Sequence, residues 1–155
     1  MRALAPCAAI AVCLALPAAT TAGTADYGGK IEKGGKIGID TNGGTTVVDQ
    51  MRFKKVPARC NGQGGFIVGA SFNFNPDLTV TNNEFSIDAT DPDGTKLLFN
   101  GRFKDGGQKI TGEVKATLKF NGGALTCRTR KRDYRATLGG NGPNPRVVAP
   151  ALGAR

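Results

Sequence analysis

Apolar and polar residues alternate along most of this chain. Phe66, Val68, Ala70, Phe72 and Phe74 alternate with Ile67, Gly69, Ser71 and Asn73, the period of a strand that buries one side. Phe85, Ile87 and Ala89 point one way, with Glu84, Ser86 and Asp88 opposite. Leu97, Phe99, Gly101 and Phe103 make a further inner row, with Lys96, Asn100 and Arg102 facing out and Leu98 as the exception. Val114, Ala116, Leu118 and Phe120 alternate with Glu113, Lys115, Thr117 and Lys119, and Tyr134, Ala136 and Leu138 form the last inner row. Residues 45–60 read as one long strand with a bend or bulge before Pro57.

Turn residues punctuate these runs. Asn42-Gly43-Gly44, Asn75-Pro76-Asp77, Asn82-Asn83, Asp91-Pro92-Asp93-Gly94, Asp105-Gly106-Gly107 and Asn121-Gly122-Gly123 each end a strand. Between residues 26 and 42, Ile31, Ile37 and Ile39 suggest short strands around turns at Gly28-Gly29 and Gly34-Gly35. No segment after the N-terminus shows a helical apolar period. Short strands at this spacing, each with one wet face, predict an all-β fold: an antiparallel β-sandwich with jelly-roll or immunoglobulin-like layering. A strict immunoglobulin topology is disfavoured. It expects a buried Trp and a Tyr two residues before the second Cys; the chain has no Trp, and Leu125 holds that position.

The first 25 residues depart from this pattern. Met1-Arg2 is a positive start, residues 3–19 are uncharged and apolar apart from Pro6 and Pro17, and small residues follow. This is the layout of a signal peptide, with cleavage expected after Ala22 or Ala25 and secretion as the destination. Cys7 and Cys13 lie too early for lipidation and read as apolar fillers. Residues 26–138 then form a single domain with no membrane span. Residues 139–155 carry Pro143, Pro145 and Pro150 and little periodicity, and read as a disordered tail.

Two cysteines remain after export, Cys60 and Cys127. An even pair in an oxidising compartment is expected to bond. The chain has no histidine. This excludes Ser-His-Asp and Cys-His catalysis, His-based zinc sites and the usual general base near neutral pH. Two-carboxylate hydrolysis and binding without chemistry survive. No cofactor motif is present.

Several segments between Thr45 and Leu138 resemble a diffuse group of uncharacterised exported β-domains of actinobacterial type. They are Arg59-Cys60-Asn61-Gly62-Gln63-Gly64-Gly65, Asn82-Asn83-Glu84-Phe85-Ser86-Ile87, Phe99-Asn100-Gly101-Arg102-Phe103, Ile110-Thr111-Gly112-Glu113-Val114 and Cys127-Arg128-Thr129, followed by Tyr134 and Ala136. The group usually has tryptophan where Tyr134 stands and a branched apolar residue where Arg132 stands. The resemblance implies a disulfide-closed β-sandwich and no activity.

The formal net charge is +9, which suits an anionic partner without dictating one. Arg52, Lys54, Lys55 and Arg59 precede Cys60; Arg128, Arg130, Lys131 and Arg132 follow Cys127. A disulfide would draw both groups into one basic patch, fit for an anionic cell-envelope or extracellular polymer. Lys96, Lys115 and Lys119 lie on other strands and are expected outside that patch. Nucleic acid is not the default partner, because the charge is not gathered in a tail. The alternative is a small exported hydrolase acting on glycans with two carboxylates from Glu84, Asp88, Asp105 and Glu113. Glu84, Asp88 and Glu113 occupy outward, solubilising strand positions, and few aromatics are available to stack sugars. Asp88, Asp91 and Asp93 before Gly94 resemble a calcium loop only weakly, since Ala89 stands where a ligand should be; no metal site is expected.

Overall fold

The computed structural model describes residues 24–61 and 65–143. Residues 1–23 of the expected signal peptide and residues 144–155 of the expected tail lie outside the described residues, while Ala25 opens the first strand. Ten strands follow in order: β1 Ala25–Ile31, β2 Lys36–Asn42, β3 Val47–Cys60, β4 Phe66–Phe74, β5 Leu78–Thr79, β6 Glu84–Thr90, β7 Lys96–Lys104, β8 Lys109–Phe120, β9 Leu125–Thr129 and β10 Arg132–Leu138. The all-β reading holds. Turns form where Asn, Asp and Gly cluster. Asp105-Gly106-Gly107 joins β7 to β8 with φ of 53°, 64° and 88°, and Asn121-Gly122-Gly123 joins β8 to β9 with 51°, 64° and 95°. Asp and Asn tolerate the left-handed region, and glycine enters it without steric cost. Gly28-Gly29, expected as a turn, instead lies within β1.

Every pairing is antiparallel, and the order is not that of an open sandwich. β1 pairs with β10 and β2, β2 with β3, β3 with β9, β9 with β8, and β8 with β10. These six strands close on themselves as a barrel. The two long strands make closure possible, since each serves two neighbours along one edge. β3 meets β2 over Val47–Lys54 and β9 over Ala58–Cys60; β8 meets β10 over Lys109–Val114 and β9 over Thr117–Phe120. A bulge in β3 between the two stretches shifts the register from Phe53↔Phe72 to Val56↔Ala70, with Lys55 at φ 55°. It is the irregularity expected before Pro57, and it bends the strand as bulges do. Outside the ring, β4 and β5 lie along β3, and β7 and β6 extend from β8.

The interior is filled. A chain of rings crosses it: Phe72 stacks on Phe53, Phe53 meets Phe99 edge-on at 5.7 Å, and Phe99 stacks on Tyr134 at 5.0 Å. Phe85 packs against Phe99 and Phe103, and Tyr27 against Phe103. Tyr134 donates a 2.9 Å hydrogen bond to the carbonyl of Asn100, so its hydroxyl is satisfied where it is buried. Room for this ring comes from glycine. Gly101, Gly112 and Tyr134 are cross-strand neighbours. A Cβ on Gly101 would stand 2.3 Å from the Phe85 ring and 2.4 Å from the Tyr134 hydroxyl. Phe66, Phe120 and Leu138, read as inward, are instead 45, 43 and 42 % exposed, because each closes a strand end.

The outer wall of β1 and β2 carries a second glycine pair, Gly28↔Gly38. Residues 139–143 lie across it. A Cβ on Gly28 would meet the Gly140 carbonyl at 2.0 Å, and one on Gly38 would meet Pro143 at 3.2 Å. Gly139 N–H also bonds the Asp26 carbonyl at 2.8 Å.

Two stability predictions follow from this closure. Gly101→Ala overfills a packed interior and should cost about 1–3 kcal/mol in urea unfolding. Cys127→Ala removes the Cys60–Cys127 bond, which spans a sequence separation of 67, and should cost about 2–5 kcal/mol in the same measurement. An unchanged midpoint in either variant would contradict the packing or the closure.

Candidate functional site

With the interior filled by side chains, chemistry is left to the outer surface. Register decides which cations meet there. Ile67, Arg59, Arg128, Thr117 and Lys96 form one cross-strand row on β4, β3, β9, β8 and β7. Arg59 and Arg128 stand directly opposite each other, one pair away from the disulfide pair Cys60↔Cys127. Arg130 is exposed one residue beyond β9. Lys115 and Lys119 flank Thr117 at the next outward positions of β8. Among the described residues, none of Arg59, Lys96, Lys115, Lys119, Arg128 and Arg130 forms an ion pair. Exposed Leu98 and Ile67 lie on the same face, and Asp88, opposite Leu98, marks its β6 edge.

This both supports and corrects the expected patch. The disulfide does bring Arg59 and Arg128 together. Lys54 and Lys55 are exposed further up β3. Lys96, Lys115 and Lys119, expected elsewhere, share the face of Arg128. Three expected members are not free cations of this face. Arg52 is buried at 6 % exposure and bound to the Asp40 carboxylate, one of its contacts being Nη2 to Oδ1 at 2.6 Å. Lys131 pairs with Glu113 at 2.7 Å. Arg132 stands opposite buried Val114 on the inward side of β10, half-buried, with its Nε buried and without a partner.

The carboxylates do not converge. Glu84 pairs with Arg102, Asp105 with Lys109 at 2.7 Å, and Glu113 with Lys131. The Lys131 hydrogen bond holds the Glu113 carboxyl below the ordinary carboxylate range, with Asn100 assisting; Lys109 does the same for Asp105. A general acid needs the opposite shift. Asp93 spends both oxygens on Thr95, accepting from its N–H at 2.8 Å and its hydroxyl at 3.0 Å. No cluster of three or more His, Cys, Asp or Glu suited to a metal occurs among the described residues, and no helix among them is long and apolar enough to cross a membrane.

Comparison of the chain with protein-family models, curated proteins and solved structures finds no match. The outer surface therefore has to be read from its own chemistry.

Two features of that surface were missed in sequence. The first is a second row of cations: Arg135, Lys30, Lys36 and Lys54 are consecutive cross-strand neighbours on β10, β1, β2 and β3. Strand alternation marks each as outward, but only the register aligns them. The second is the Asp40–Arg52 pair, held in place by Gln50, whose side-chain oxygen accepts from Arg52 Nη1 at 2.8 Å. Gly38 beneath Arg52 leaves space for the guanidinium to lie flat, with a Cβ there falling 3.1 Å from Nε. Burial pushes the Asp40 carboxyl up, and the Arg52 guanidinium pulls against it.

Asp40→Ala should leave a buried cation without its partner. The side chains of Arg52 and Asp40 are 7 % and 19 % exposed, so a loss near about 3 kcal/mol, the lower end for a buried pair, is expected in thermal or urea unfolding. Adding Arg52→Met should recover part of it, because no orphan charge then remains. A neutral single variant would show that the pair contributes nothing.

Proposed function

We propose that this protein is an exported, non-catalytic module that binds an anionic polymer of the cell envelope or its surroundings on the outward face of β3, β9, β8 and β7. The observation that carries this is the cluster of six cations there that has no ion pair among the described residues, including Arg59 directly opposite Arg128. Like charges placed opposite each other on a sheet oppose folding. Solubility is served by scattered, mixed charges and does not call for such a cluster. Neighbouring strands lie about 4.8 Å apart, well inside the ~8 Å Debye length at physiological salt. The fields of these residues therefore add. Leu98 and Ile67 offer apolar contact to the body of a polymer chain. The bond between Cys60 and Cys127 fits a protein that works outside the cell. A glycan hydrolase is the weaker reading, since three of its four candidate carboxylates are held in ion pairs.

The test compares two charge reversals of equal size. Arg59→Glu, Arg128→Glu and Arg130→Glu together should sharply weaken binding to heparin at low salt. Arg102→Glu, Lys104→Glu and Lys109→Glu, at the far end of the β7–β8 hairpin, should weaken it much less. Wild-type affinity should fall steeply as salt rises. Equal loss from the two triples would reduce the effect to net charge, and no binding at low salt would end the proposal.

The pH response is a second check. The chain has no histidine, the side chain that ordinarily titrates between about pH 5.5 and about pH 7. Affinity should be flat over that window. Because the Glu113 carboxyl is lowered by Lys131, protonation comes only below the ordinary carboxylate range; there Lys131 is released and binding should strengthen.

A further inference from the structure

We propose that the row Arg135–Lys30–Lys36–Lys54 is a second anion site, one that takes a linear chain of phosphate groups laid across the strands. The proposal goes beyond the face of Arg59 and Arg128 and does not depend on it. Lys30 is paired in register with both Arg135 and Lys36, and Lys36 with Lys54. All four are exposed. Three successive cross-strand pairs are thus like-charged, each unfavourable for the folded sheet. No carboxylate interrupts the row, and among the described residues none of the four forms an ion pair. An anion chain bound along the row turns each repulsion into attraction.

Shape adds an independent reason. The β10–β1 end of the row lies on the floor of a groove of about 850 Å³. Thr137 and Asn141 line one side, where residues 139–143 cross the sheet; Glu32 and Asp133 line the other. The carboxylates of Glu32 and Asp133 repel an anion that strays from the row and keep it over Lys30 and Arg135. Four cations on adjacent strands span roughly 14 Å, at about 4.8 Å per strand.

Residue type selects the ligand. Three of the four are lysines, point charges that bind phosphate without needing a planar partner. No exposed aromatic stands on the outward positions of β10, β1 or β2. Stacking of nucleobases is therefore absent, which disfavours single-stranded nucleic acid, and so is stacking of sugar rings. What remains is contact with a charged backbone alone. Contiguous phosphates and phosphodiester-linked glycerol units share this chemistry.

The probes are inorganic oligophosphates of increasing length, poly(glycerol phosphate), and a polyuronate as the carboxylate control, titrated against the folded domain at several salt concentrations. Affinity for oligophosphate should rise with length and level off once the chain spans the row. The salt slope should approach about 3, as four contacts at 0.7–0.9 each require. Lys36→Glu should lower affinity on the order of tenfold and reduce the slope by about one contact. It should also leave the melting temperature unchanged or higher, because it places an acid between Lys30 and Lys54; a loss of binding with that result cannot be misfolding. Stronger binding of poly(glycerol phosphate) than of oligophosphate would identify the source as a phosphodiester polymer, and the reverse as polyphosphate. Equal binding of polyuronate would overturn the choice of phosphate. Unchanged oligophosphate affinity in Lys36→Glu, with loss in the Arg59, Arg128 and Arg130 triple, would overturn this site and leave the other standing. Loss in Lys36→Glu alone would do the opposite.

Discussion

Three residue pairs close the barrel. Ala58↔Thr129, Arg59↔Arg128 and Cys60↔Cys127 join the end of β3 to β9, and β9 has only five residues to share between β3 and β8. Without them the second half of β3 and the facing edge of β9 would be left open, the usual liability of an exposed sheet. The disulfide sits in the outermost of the three pairs. Closing a loop of this length is worth roughly 4 kcal/mol in loop-entropy terms. The exposed like-charge pair beside it costs well under that, about 1 kcal/mol at most. The bond therefore outweighs the repulsion next to it, and two arginines are held together that would otherwise favour separation. Stability and the charged face come from the same short stretch of backbone.

Closure also determines where function can reside. A six-stranded ring encloses little space, and here its own buried side chains, Phe53 and Tyr134 among them, fill it, with Phe99 and Phe72 of the outer strands packed against those rings. Small barrels are packed by side chains in this way, whereas larger ones hold ligands. Glycine makes the fit possible on both sides of the wall. Inside, Gly101 admits the Tyr134 ring beneath Phe85; outside, Gly28 and Gly38 let residues 139–143 rest on the sheet. The strap formed by that segment and the buried Arg52 together wall off the row next to the cation ladder.

Much of this was legible in the alternation of residues, and the limit is physical. Period-two patterning assigns each residue to one side of its own strand, and Leu97, Phe99, Phe103, Val114, Ala116 and Leu118 are all buried as it requires. Asn, Asp and Gly marked the hairpin turns, and the pair Cys60 and Cys127 marked their bond. Patterning is silent on which strands become neighbours, because pairing joins residues far apart in sequence. That is why a sandwich was expected where β10 returns to β1 and β8 and shuts the ring. For the same reason Lys96, Lys115 and Lys119 are expected apart from Arg128, and nothing in the alternation brings Arg135 beside Lys30. Arg132 misled differently. A charged residue reads as outward, yet the register opposite Val114 turns it inward. Gly28-Gly29 misled through composition: paired glycines mark turns, but here they serve the close approach of another backbone.

The two cation clusters are not independent in space, since β3 carries a member of each. Lys54 ends the ladder and Arg59 begins the row at the disulfide, about 16 Å apart along the strand at 3.3 Å per residue, with exposed Lys55 between them. The bulge at Lys55 bends β3 at that point, so the two faces meet at an angle. Under the binding proposed above, a short anion would engage one cluster; a polymer long enough to follow β3 around the bend would engage both, the second contact being made at high effective concentration. Such binding discriminates by length more than by chemical detail, because each contact is weak, charge-based and close to water. A barrel with a filled interior, no histidine and cations aligned by register is suited to that form of recognition.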